Sequence, residues 1–179
     1  LALPPVVIGY ALLWVVGTNG WIGQLSESWF GSTLAFTWIA AALAAAIVSL
    51  PLVVRSFAAA LAGVDPRLEI AARGLGAGSV RTFLTITLPL AYRGVIAGVL
   101  LGFVRALSEF GATIVVAGNI PGRTQTVPSA IFTRISAGDT DAAWRLALVS
   151  VVLGVLALGV HNWLLKRTTS GATRSDGHS

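Results

Sequence analysis

"LEIAARGLGAGSVRTFLTITLPL", residues 68–90, is a charged, glycine-punctuated segment set between two of the most apolar runs in the chain. Asp65 is placed to N-cap a helix, with Pro66 at its first position and Glu69 near its positive end. Leu68, Ala71, Ala72 and Leu75 recur at helical spacing on one apolar face, while Arg67 and Arg73 point elsewhere. Gly76 and Gly78 predict the stop. Ser79 predicts the cap of a second short helix through Val80, Arg81 and Phe83, which leads to Leu88 and Pro89. The expectation is a helix, a tight turn and another helix lying across a membrane surface. Two readings stand side by side. One is an amphipathic loop at the lipid headgroups, its arginines facing phosphates. The other is a docking surface for a cytoplasmic partner, because alanine and glycine in place of leucine and lysine leave a shallow face that permits close approach.

The flanks predict membrane spans. Residues 36–54, "FTWIAAALAAAIVSLPLVV", run for 19 residues without a charge, enough helix to cross a hydrocarbon core, with Pro51 expected to bend it. Residues 144–165 form a second span, bounded by Arg145 on one side and Lys166 and Arg167 on the other, with Trp144 and Trp163 suited to the two interfaces. Residues 88–107 form a third, where Gly94, Gly98 and Gly102 line one helix face and permit close packing. The fourth is the opening, residues 4–16, which is short. Residues 17–35 carry Trp21, Trp29 and Phe30 but only Glu27 as a charge, as in a short loop dipping into an interface. Residues 111–130, with "ATIVVA" broken by "GNIPGRTQTVPS", read as a re-entrant or broken helix.

Composition agrees with this pattern. With 55% hydrophobic and 11% charged residues and a mean hydropathy of +0.83, the chain has too little polar material to cover a water-soluble surface. Cysteine is absent, which excludes disulfides, thiolate metal sites and thiol nucleophiles. The opening "LALPPVVIGYALLWVVG" lacks a Met, a basic flank and a cleavage site, and is read as an internal start with an upstream piece expected before it. Residues 55–93 hold five arginines against Asp65 and Glu69, a net of +3, and the tail after Leu165 is at +2, whereas residues 17–35 are at −1. The positive-inside rule therefore predicts a cytoplasmic 68–90 segment and C-terminus, with the Trp21 loop outside.

The 68–90 segment resembles the cytoplasmic signature of ABC importer permeases: glutamate, two alanines, three variable residues, glycine, nine variable residues, then isoleucine, a variable residue, leucine and proline. Ala71, Ala72, Gly76, Ile86, Leu88 and Pro89 match it at the correct spacing. The acidic position falls on Ile70, with Glu69 immediately before it. "LPPVVIGY", "FTW" and "SEFGATIVVAGNIPGRTQTVPSAIF" extend the likeness, and together these look like the permease subunit of a molybdate-type importer. The resemblance covers residues 1–166 and leaves 167–179 as a tail whose Thr, Ser and Gly content predicts disorder. It implies an all-α polytopic transmembrane bundle of the type I importer permease class, with one more span before the first seen here.

It also implies a bacterial inner-membrane protein paired with a second copy, a cytoplasmic ABC ATPase dimer coupled through residues 66–88, and an extracytoplasmic molybdate-binding protein. The coupling residues would be Glu69, Ala71, Ala72, Gly76, Ile86, Leu88 and Pro89. No GxxxxGK[ST] loop occurs, so ATP and magnesium are expected on the partner ATPase, and this chain is expected to carry no cofactor, metal or nucleic acid and to catalyse no covalent chemistry. Molybdate is the first substrate the resemblance implies, then tungstate, then sulfate. A membrane scaffold or assembly subunit without a pathway is the rival reading, and a channel a third. Arg105 and Glu109, four apart, are either a structural ion pair or the lining of an anion route. Arg123, with Thr124 and Thr126 beside it, is a candidate for meeting an anion on the outer side; a dimer seam or a lip for a binding protein fits the same residues.

Overall fold

The structure is a computed structural model and describes residues 3–169, with Phe30 and residues 166–169 entering by backbone alone. Every regular element among the described residues is helical. In chain order these are α1 (Pro5–Val16), α2 (Trp21–Phe30), α3 (Trp38–Ala62), α4 (Pro66–Gly74), α5 (Ser79–Thr82), a π turn (Phe83–Thr87), α6 (Leu88–Leu107), α7 (Gly111–Ala117), α8 (Val127–Ser136) and α9 (Thr140–Thr169). The predicted all-α class is the class observed. Helix α9 takes in the first residues of the predicted tail, and residues 170–179 lie outside those described.

Three helical runs are long and apolar enough to cross a membrane: Trp38–Ala62, Ser79–Leu107 and Thr140–Leu165. The first outruns the predicted span because Arg55 ends the uncharged run without ending the helix; alanines beyond it keep helical propensity, and a long arginine stem can carry its charge to the interface. The second begins well before residue 88, since the predicted second surface helix is continuous with the span. Helix α1 differs from expectation. Its 12 residues give about 18 Å of helix, short of a hydrocarbon core of roughly 30 Å. It reaches spanning length only together with Trp21–Trp29, which is bent from it by 49°. The predicted interfacial loop at 17–35 is therefore mostly helix α2.

Contacts divide the chain into two compact units. The first comprises Leu1–Pro51 and Phe103–Gly154. Its core is built from small residues, Ala35, Ala40, Ala41, Ala44, Ala112 and Ala117 with Val16 and Val116, and Leu12, Leu13 and Ile22 pack around it. Small side chains let α1 lie along α7, and the Phe36 N–H donates to the Val116 carbonyl at 3.0 Å, closing the start of α3 onto α7.

The second unit comprises Leu52–Gly102 and Val155–Ser179. Here the predicted glycine stripe of α6 faces α3. A Cβ at Gly94 would lie 2.6 Å from the Ala60 Cβ, one at Gly98 would lie 2.8 Å from the Ser56 Cβ, and one at Gly102 would collide with Val53. The stripe is therefore consumed by packing within the chain. His161 on α9 closes the unit from another side: its Nδ1 is 2.9 Å from the Ala97 carbonyl, which can only accept, so Nδ1 carries the proton.

Candidate functional site

Helix α4 begins as its residues dictate. Asp65 Oδ1 accepts from the Arg67 N–H at 2.9 Å, Pro66 occupies the first turn where no N–H is needed, and Glu69 sits at the positive end. Its end explains half of the permease-like signature. Gly76 adopts φ +86°; its N–H donates to the Arg73 carbonyl at 3.0 Å, and the Ala77 N–H donates back to the Ala72 carbonyl at 3.1 Å. This is a Schellman stop with Gly76 as the left-handed residue and Ala72 three positions inside the helix end. A Cβ at Gly76 would meet nothing among the described residues. The glycine is thus required for its backbone conformation and not for room within the subunit.

The other half, Ile86, Leu88 and Pro89, is explained by the π turn. Pro89 cannot donate to the carbonyl four residues back, and its ring would strike that carbonyl in a regular helix. The turn before it is widened, with the Leu88 N–H donating to the Phe83 carbonyl five residues back. The extra residue brings Thr82 and Thr87, five apart and both buried, into line with Ala91 and the glycine stripe. One prediction is corrected here: Ser79 does not cap. Gly78 is the N-cap residue, without a side-chain cap bond, and its carbonyl accepts from the Thr82 N–H and hydroxyl.

The predicted apolar face is left largely uncovered by the described residues. Leu68 and Ala71 are exposed, Leu75 is 90% exposed and the neighbouring Ile70 is 69% exposed, while Ala72, Ile86 and Leu88 are half-buried and Pro89 is exposed. Glu69 points inward instead. Its Oε1 accepts from the Thr87 hydroxyl at 2.7 Å, and its Oε2 lies 3.4 Å from Arg73 Nη2. Thr87 was not among the predicted site residues, because a pairing across 18 positions leaves no trace in local periodicity.

Arg105 and Glu109 do meet. Arg105 Nη1 donates to Glu109 Oε2 at 2.9 Å, and the other carboxylate oxygen accepts from the Ala112 N–H at 2.9 Å in the first turn of α7. Glu109 is 2% exposed against 35% for the arginine side chain, so both lone oxygens of a buried carboxylate are satisfied and α7 is anchored to the end of α6.

Thr124 and Thr126 have local duties. The Ile120 carbonyl gathers the N–H groups of Arg123, Thr124 and Gln125, and the Thr124 hydroxyl accepts from the Ile120 N–H at 3.1 Å. Thr126 and Ser129 form a capping box on α8. Arg123 is exposed beside a cleft of about 400 Å³ that Phe36, Thr37 and Trp38 also line. Among the described residues no hydrogen bond or ion pair joins Arg123 to the Arg105–Glu109 pair.

Residues 1–170 match the family of binding-protein-dependent transport system inner membrane components. The chain belongs to this permease family. It is similar to the molybdenum transport system permease protein ModB of Escherichia coli, 50% identical over 97% of this chain and 76% of that protein. It is 48% identical to ModB of Haemophilus influenzae over 93% of this chain and 73% of that one. Over 93% of this chain and 60% of the relative, it is 38% identical to the sulfate transport system permease protein CysT of Salmonella typhimurium. The chain is thus an inner-membrane transport component, a permease subunit of a system that depends on a binding protein, and not itself an enzyme.

Proposed function

We propose that this permease passes molybdate inward across the bacterial inner membrane, as one of two copies held on a cytoplasmic ABC ATPase dimer that binds ATP and magnesium, with an extracytoplasmic binding protein delivering the anion. The observation that carries the substrate is the 50% identity to a molybdenum permease over nearly the whole chain, against 38% to a sulfate permease. Tungstate, a dianion of the same shape, ranks next and sulfate third. Supporting the coupling role is the outward face of α4 and its C-cap, where Ile70 and Leu75 are exposed and left uncovered by the described residues. Supporting a cytoplasmic position for that face are the arginines of residues 55–93.

In this reading ATP-driven closure of the ATPases displaces α4, and the permease alternates between outward and inward access. Arg105 offers the passing dianion a partly exposed guanidinium whose own charge is balanced by buried Glu109. The test is uptake of radiolabelled molybdate into proteoliposomes holding the complete transporter. ATP-dependent uptake suppressed by excess tungstate and little by sulfate is the expected result. Uptake suppressed equally by sulfate would move the assignment to a general oxyanion permease, and none at all would sink the substrate reading.

A further inference from the structure

Helix α4 is tied to the helix that follows it by one side-chain bond. Thr87 Oγ1 donates to Glu69 Oε1 at 2.7 Å, and Thr87 itself is 5% exposed. The remaining side-chain bonds of α4 are local, Asp65 to the Arg67 N–H and Glu69 to Arg73, so among the described residues no other side-chain hydrogen bond leaves α4 for another helical element. Apolar packing offers little alternative hold, since Leu68, Ile70 and Leu75 are all exposed.

Neighbouring threonines show why Thr87 is available. Thr82 and Thr85 donate to the carbonyls four residues back, Gly78 and Arg81, the usual local choice for a helical threonine. For Thr87 that carbonyl belongs to Phe83, and the π turn directs it to the Leu88 N–H, five residues on. The Thr87 hydroxyl turns to Glu69 instead. Thr87 thus lies in the widened turn before Pro89, and its hydroxyl is the side-chain tie from that turn to α4.

We propose that Glu69 is a positioning residue for transport, and that the Glu69–Thr87 hydrogen bond is the strut that makes α4 and the Ser79–Leu107 helix move as one body. A partner pushing on the outward face of α4 then displaces a membrane-spanning helix, and does not merely bend a surface loop. The proposal rests on the docking reading given above. It also assigns the acidic residue of the segment an inward duty, leaving Ile70 and Leu75 to face the partner.

The experiment uses the complete transporter in proteoliposomes with molybdate as the probe. Glu69→Ala and Thr87→Val should each lower the anion moved per ATP hydrolysed by roughly tenfold, the factor that a net hydrogen bond to a charged acceptor is worth, with the ATPase still co-purifying. Glu69→Gln keeps an oxygen that can accept, and Thr87→Ser keeps the hydroxyl, so both should retain most of the coupling. The double variant Glu69→Ala/Thr87→Val should be no worse than either single change. In a second arm, spin labels at Arg67→Cys on α4 and Ile96→Cys on α6 should give a narrow distance distribution, unchanged by nucleotide, that broadens in Thr87→Val. Wild-type coupling in Thr87→Val, loss in Glu69→Gln as complete as in Glu69→Ala, additive effects in the double variant, or a label distance that shifts with nucleotide in the native pair would each overturn the strut. If the wild type moves no molybdate, the substrate reading fails while the label widths, measurable in the permease alone, still decide the strut.

Discussion

At Gly76 the question is whether a partner needs room or the backbone needs a left-handed turn. With φ at +86° and nothing among the described residues near a built Cβ, any ordinary L-residue here costs about 1–2 kcal/mol of backbone strain, and asparagine less. Gly76→Asn should therefore keep ATPase association and coupling while Gly76→Val loses both, as read by co-purification and transport per ATP. Equal loss in the two variants would show that the partner's approach, and not the turn, demands glycine. Glu109 poses the opposite problem, a buried charge that must stay paired. Among the described residues Arg105→Ala leaves it only the Ala112 N–H, and an uncompensated buried charge costs about 3–5 kcal/mol, so the yield of folded permease should fall sharply. Arg105→Ala/Glu109→Gln should recover that yield, since the amide oxygen still accepts from Ala112. Recovery of yield without recovery of molybdate uptake would assign the arginine to the anion; recovery of both would make the pair purely structural.

Helix α6 succeeds because one face is nearly bare. Gly98 lies against Ser56 and Phe57 at distances no side chain can share, so Gly98→Leu overpacks the seam by about 1–3 kcal/mol or more, whereas Val99→Leu, on the exposed neighbouring face, should be tolerated. Melting temperatures of the purified permease in detergent will separate the two. This stripe was legible from its four-residue repeat, as were the Asp65–Pro66 start of α4 and the apolar body of α3. The end of α3 was not, because charge marks where a membrane ends and says nothing about where a helix does; Arg55 closes the uncharged run while alanines carry the helix on to Ala62. Helix α2 escaped for a different reason. Its buried positions are Gly23 and Ser26, residues too small and polar to register as an apolar stripe.

For the whole molecule, the assignment of sides follows from arginine placement alone, and the native absence of cysteine makes it directly measurable. Gly78→Cys should react with a membrane-impermeant maleimide only in inverted vesicles, and Ser32→Cys only in intact cells; labelling of position 78 from outside would reverse the topology and with it the docking face. What the sequence could not supply at this scale were the long-range ties, Glu69 to Thr87 and His161 to Ala97, each a single polar pair with no periodic signal. The second of these offers a use that needs no added probe. The chain has two histidines, His161 and His178, so nitrogen-15 labelling of histidine alone yields a spectrum of very few lines. The Nδ1 resonance of His161 reports its hydrogen bond to the Ala97 carbonyl, and therefore the spacing of α9 from α6. Recorded with and without nucleotide on the assembled transporter, that one line is a native ruler for whether these two helices part during the cycle.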